Sequence, residues 1–202
     1  MRVAFLGDSL TEGRPGAAYF PLLERRLSRH GLLNLGRAGD TVADLLARMR
    51  STRLPPVDAA VLWVGANDAV TGAWDMPEST AGRGWPQRLA HTRAEYRELI
   101  EWIGMRTRRS LLVKPIILES EGSLWAARAD DLGRMIEDLG AGSGAEVLDL
   151  RPAFARAHAC GSGPFTIDGV HFTDAGAQVV AAAFAAALER AGQSPSLSVD
   201  SS

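Results

Sequence analysis

Val3-Ala4-Phe5-Leu6-Gly7-Asp8-Ser9-Leu10-Thr11-Glu12-Gly13 is the stretch that decides the fold. Four apolar residues with nothing polar between them read as a strand buried on both faces, because a strand with one wet face would alternate. The run stops at Gly7, and small and polar residues follow at once. The same pattern recurs: Leu32 to Leu35, Ala59 to Val64, Leu111 to Leu118 and Glu146 to Leu150 read as four more strands. Between them lie apolar stripes at helical spacing. They are Tyr19/Leu22/Leu23/Leu27, Val42/Leu45/Leu46/Met49, Leu89/Tyr96/Leu99/Ile100/Ile103, Leu132/Met135/Ile136/Leu139 and Val179/Val180/Phe184/Leu188. Asp40 or Thr41 is placed to cap the second stripe, and Thr173 or Asp174 the last. Strands alternating with helices predict a parallel sheet covered on both faces, an α/β fold with right-handed crossovers. Pro115 falls inside the fourth run. Without an N–H it cannot donate to a ladder, so this strand is bulged or pairs over part of its length.

Composition narrows the function. At 46% hydrophobic and 23% charged residues the chain is globular, which excludes a disordered or fibrous polymer. The net charge of -2 offers no basic excess for nucleic acid or an anionic membrane, so neither is expected as a partner. A single cysteine, Cys160, excludes an internal disulfide framework and is expected to pack as a small hydrophobe. Val179 to Leu188 is too short and alanine-rich to cross a bilayer. Met1 directly before the first strand leaves no room for a leader, so the expected compartment is the cytoplasm. Residues 1–191 read as one domain, and the Ser- and Pro-rich residues 192–202 as a disordered tail. Residues 70–87, with Gly72, Pro77, Gly82, Gly84 and Pro86, read as an irregular loop of the length that is usually functional or mobile.

The residues suited to chemistry follow strand ends. Gly7-Asp8-Ser9 ends the first strand, Gly36-Arg37-Ala38-Gly39-Asp40 the second and Gly65-Ala66-Asn67-Asp68 the third. Asp168-Gly169-Val170-His171 lies beyond the fifth. Ligands bind at that edge of an open parallel sheet, where strand order reverses; for the order 2-1-3-4-5 the reversal lies between strands 1 and 3. A serine hydroxyl needs a base to take its proton. His171 can act through one ring nitrogen if Asp168 holds the other and fixes the tautomer. A tetrahedral oxyanion needs fixed donors, for which the Ser9 N–H, the Gly39 N–H and the Asn67 amide are candidates. Asp8 reads as a structural carboxylate bonding local N–H groups, and Asp68 as one that holds its loop.

These four blocks, in this order, resemble the SGNH hydrolases, the GDSL-type esterase/lipase family. Ser9 stands in the first block, Gly39 in the second, Asn67 in the third, and Asp168 and His171 in the last. The resemblance implies a three-layer α/β/α flavodoxin-like sandwich with a five-stranded parallel sheet. It implies a serine esterase working through an acyl-enzyme on Ser9, with no metal or cofactor. His171 would be the base, Asp168 its orienter, and Ser9, Gly39 and Asn67 the oxyanion hole. The partner is a small-molecule ester; oligomeric state is left open. Trp74, Trp85, Glu119 and Trp125 are candidate substrate contacts, since their segments should overhang the edge that carries Ser9. Short acyl groups are expected, for want of an apolar lid helix. The alternatives are an O-deacetylase of acetylated sugars or natural products, an acyltransferase, and a catalytically silent flavodoxin-like binding module. No Gly-x-Ser-x-Gly elbow is present. Gly140 to Gly144 lies between a helix and a strand, the reverse of the order a phosphate-cradling loop requires.

Overall fold

The computed structural model describes residues 1–70, 84–118 and 123–190. Among them five strands form one parallel sheet in the order β2-β1-β3-β4-β5. The strands are β1 (Arg2–Gly7), β2 (Gly31–Gly36), β3 (Ala59–Trp63), β4 (Arg109–Val113) and β5 (Glu146–Leu148). Strand order reverses between β1 and β3, as the conditional reading of the sequence placed it. Successive side chains of the inner strands go to opposite faces. Val3, Phe5, Ala59, Val61, Trp63, Leu111 and Val113 enter one core, and Ala4, Leu6, Ala60, Leu62 and Leu112 the other. Two separate apolar cores explain why the runs are continuous rather than alternating.

The first core is closed by α2 (Phe20–Arg26), α7 (Arg151–Ala159) and α8 (Asp174–Arg190). Phe5, Tyr19, Trp63, Phe172 and Phe184 form its aromatic centre, with Phe5 and Phe184 edge to face at 5.5 Å. The second is closed by α3 (Val42–Ser51), α5 (Trp85–Gly104) and α6 (Leu124–Ser143). Thr41 opens α3 through a reciprocal capping box with Asp44, the cap expected from the sequence. Two short helices, α1 (Ser9–Glu12) and α4 (Ala66–Val70), start immediately beyond β1 and β3. No described helix is long and apolar enough to cross a membrane.

Several expectations shift at their edges. The β4 ladder stops at Val113, Lys114 N still reaches Leu148 O at 3.0 Å, and Pro115 lies past the ladder, so the strand pairs over part of the predicted run. The last strand ends at Leu148 because Leu150 already opens α7, a helix the apolar pattern does not announce. Its buried anchor is Phe154, too few apolar positions for a stripe. The glycines after Leu139 are not a loop: α6 runs through Ser143 and stops at Gly144. A Cβ on Gly140 would sit 2.5 Å from Val147 Cγ2, so the helix passes β5 too closely for a side chain there. Cys160 is exposed just past α7, against the expectation of packing. Of the loop read over 70–87, residues 84–87 cap and begin α5. Residues 71–83 lie outside the described residues, as do Trp74, Glu119 and the tail 192–202.

Candidate active site

Ser9 is the first residue of α1, with Asp8 as N-cap. The Asp8 carboxyl accepts from Leu10 N at 3.0 Å, so the cap is Asp8 and the Ser9 hydroxyl is left for another partner. The turn is tight. A Cβ on Gly36 would fall 2.2 Å from Glu12 N, because α1 crosses directly over the end of β2. That crossing holds the 93% buried Ser9 at the sheet edge.

The Ser9 hydroxyl meets His171 Nε2 at 3.0 Å, and His171 Nδ1 meets Asp168 Oδ2 at 2.6 Å. Asp168 also accepts from the backbone N–H of Val170 (3.0 Å) and His171 (2.8 Å) through its other oxygen. Burial pushes the Asp168 carboxyl up. The His171 ring and the two backbone donors outweigh that and hold it below the usual carboxylate range. An ionised carboxylate can only accept, so the His171 proton sits on Nδ1, and Nε2 is the acceptor that faces the Ser9 O–H.

The loop that presents His171 is clamped from several directions. Thr166 and Phe172 form an antiparallel bridge, Ile167 N donates to His171 O at 2.8 Å, and Gly169 N to Thr166 Oγ1 at 3.1 Å. Leu118, on the segment leaving β4, donates its N–H to Gly169 O at 2.7 Å. Phe172 is the wedge beneath: it stacks on Trp63 and on Phe154 at about 6 Å each. Two buried rings thus hold Phe172, the residue next to His171.

The Arg37–Asp40 turn follows β2, is tied to the end of β1 by Arg37 N to Gly7 O at 3.0 Å and is closed by Asp40 N to Arg37 O at 3.2 Å. Gly39 occupies its third position with φ +83°, a left-handed value that suits glycine. A Cβ there would touch no protein atom within 4 Å, so the backbone angle and open access are what the glycine provides. Asn67, in α4, donates Nδ2 to Asp40 O at 2.9 Å, which fixes the amide plane against this turn. Asp68 beside it accepts from Val42 N at 3.0 Å and so ties α4 to the start of α3. Asp8 therefore accepts a local N–H, as read, whereas the Asp68 bond holds its loop against a residue 26 positions away. Burial raises both carboxyls: Asp8 to about 7, with Asp68 and Asp40 adding to the effect, and Asp68 to about 6, with Glu95 and Asp44 adding.

Trp85 is buried at the start of α5, gives its N–H to Asp131 at 2.8 Å and lies 5.0 Å beneath the Arg128 guanidinium, a packing position between α5 and α6. Arg128 also donates to Ala69 O at 3.0 Å near the end of α4. Trp125 is half-buried in the first turn of α6. Sequence reasoning missed the polar fastening of the site: Arg48, which binds Asp40, and the carbonyl of Asp40 itself. A signal was present, since Arg48 borders the apolar stripe of α3 eight residues after an acid that precedes the cap.

A hydroxyl, an imidazole and a carboxylate in line at the carboxyl edge of a doubly covered parallel sheet define the class of acyl-transfer hydrolases. The chain belongs to the GDSL-like lipase/acylhydrolase family, whose sequence profile matches residues 5–179, and it is a carboxylic ester hydrolase. Solved structures share the fold. The chain is similar to Axe2, an acetylxylan esterase from Geobacillus stearothermophilus (22% identity, 91% of each chain covered, TM-score 0.74). It is also similar to the acetyl xylan esterase AlAXEase (22% identity, 93% of this chain and 100% of that one, TM-score 0.77). A third is LAE5, an alpha/beta hydrolase enzyme from the metagenome of Lake Arreo, Spain (24% identity, 93% and 94%, TM-score 0.76). No curated protein matches the chain.

Proposed function

We propose that Ser9 is the nucleophile, His171 the general base, Asp168 the group that orients it, and the N–H groups of Ser9 and Gly39 with the Asn67 amide the oxyanion hole. The observation that carries this reading is the continuous chain from Ser9 Oγ through His171 to Asp168, at 3.0 and 2.6 Å. Ser9 Oγ attacks the acyl carbon while its proton passes to His171 Nε2. The imidazolium is stabilised by Asp168, which stays ionised. The C–O bond to the alcohol breaks, and the leaving oxygen takes the proton from Nε2. Water then gives a proton to His171 and its oxygen attacks the acyl-enzyme, releasing the acid and restoring Ser9.

The substrates are esters of short acyl groups, with O-acetyl groups on carbohydrate alcohols as the favoured class. Support for the acetyl reading comes from the two neighbours that carry acetylxylan esterase in their names. A fluorophosphonate should label Ser9, read by mass spectrometry of the peptide, and Ser9→Ala should abolish turnover of p-nitrophenyl acetate with the circular dichroism unchanged. Turnover that survives Ser9→Ala would remove the nucleophile assignment. A panel of p-nitrophenyl esters of rising chain length beside acetylated sugars tests the substrate class: activity that grows with chain length and ignores the sugars would contradict it.

A further inference from the structure

Three segments of the site end near one guanidinium. Arg48 lies in the second half of α3, and its side chain reaches back toward the N-terminus of its helix, the direction helical side chains favour. Nε donates to Asp40 Oδ2 at 2.9 Å, and Nη2 lies 2.7 Å from the same oxygen. Nη2 also reaches Leu35 O at 3.0 Å and Gly7 O at 3.4 Å. Gly7 is the last residue of β1, two before Ser9. Leu35 is the penultimate residue of β2, and Asp40 ends the turn that holds Gly39. The Arg48 side chain is 19% exposed and that of Asp40 5%, so the pair is shielded from the solvent that weakens surface ion pairs. A planar fork can bond a carboxylate and two carbonyls together, which a single ammonium cannot match.

The fastening continues inward. Asp40 gives its carbonyl to Asn67 Nδ2, so Arg48 is linked through one residue to two of the three groups read as oxyanion donors. Through Gly7 it is linked to the third.

We propose that Arg48 is a positioning residue of the oxyanion hole: it sets Gly39 and Asn67 at a fixed distance from Ser9 and touches no substrate. The inference rests on the reading of those three residues as donors. Catalysis of this type depends on donors placed in advance, and a displacement near 1 Å is enough to lose much of their effect. Arg48 therefore acts on the transition state and leaves ground-state binding alone.

The experiment compares Arg48→Ala, Arg48→Lys and Asp40→Asn with the wild-type chain, using p-nitrophenyl acetate for kcat and KM and a fluorophosphonate for the labelling rate of Ser9. Arg48→Ala should lower kcat about 10–100-fold with KM within about twofold. Free guanidinium chloride at concentrations that leave the wild type unaffected should restore part of that loss. Arg48→Lys keeps the charge and lacks the fork, so its kcat should fall less, by about 3–10-fold. A purely structural role would lower the melting temperature and leave kcat per folded molecule intact, and a loss confined to KM would assign Arg48 to substrate binding; either result overturns the proposal. If Arg48→Ala does not fold, Arg48→Lys and Asp40→Asn decide, and kcat within about twofold of wild type in both overturns it. A wild-type chain that is not labelled on Ser9 overturns the underlying site assignment. Normal labelling of the wild type with undiminished kcat in the Arg48 variants overturns the role of Arg48 alone.

Discussion

Asp8 and Asp168 occupy the two halves of the site with the same local geometry and opposite electrostatics. Each accepts the backbone N–H two residues further on at 3.0 Å, Leu10 for Asp8 and Val170 for Asp168. Asp8 is 1% exposed with Asp68 and Asp40 as electrostatic neighbours, and its carboxyl is pushed up to about 7. The Asp168 side chain is 46% exposed and holds the His171 ring, and its carboxyl is driven below the ordinary range. One backbone bond is common to both, so it cannot decide the charge. The His171 ring and a second backbone donor hold Asp168 low against its burial, while full burial beside Asp68 and Asp40 raises Asp8. The pair shows why Asp8, next to Ser9 in sequence, is poorly suited to orient the proposed base, and why Asp168, distant in sequence, is well suited.

The comparison can be broken most directly at Asp168. Asp168→Asn should lower kcat about 10³–10⁴-fold, because an amide facing Nδ1 no longer fixes the productive tautomer. A kcat within tenfold of wild type would erase the distinction between the two carboxylates. Asp8→Asn should leave kcat near neutral pH within a few-fold and change stability instead. Between about pH 4 and 7 the folded chain retains a proton on Asp8 that the unfolded chain releases, so wild-type stability falls as pH rises through this window. The asparagine variant has no such proton to lose. Its stability should gain on the wild type with rising pH, by an amount on the order of a few kcal/mol, and level off above about 7, with the melting temperature following the same trend. A difference independent of pH would mean that Asp8 is ionised throughout. Asp68→Asn should show the same sign and a smaller amplitude, levelling off above about pH 6, because its shift is smaller. Thermal melts of both variants across pH 4–8 provide the ranking.

Much of this was legible in the chain. The five apolar runs are strands because their side chains feed two cores; the first three blocks share an edge because each follows a strand, and the loop carrying Asp168 and His171 reaches Ser9 from beyond α7. Ser9, Asp168 and His171 stand at hydrogen-bonding distance, as their types suggested. Helix α7 was not legible, since Arg151-Pro152-Ala153-Phe154-Ala155 shows one anchor and no period. Nor was the burial of Trp85: a tryptophan next to a Gly- and Pro-rich stretch looks the same whether its indole faces a ligand or an arginine. Arg48 had a signal only for its pairing with Asp40; its bonds to Gly7 and Leu35 run to carbonyl oxygens, which every residue owns and no sequence displays.

The contact between Ser9 Oγ and the His171 ring spans 162 positions of the chain. In chain order the imidazole comes after all five strands, so the contact needs the whole sheet between its two partners. On the roles proposed for Ser9 and His171, a polypeptide that stops before position 171 carries an unarmed serine, and hydrolytic turnover requires every strand of the sheet and the loop beyond it.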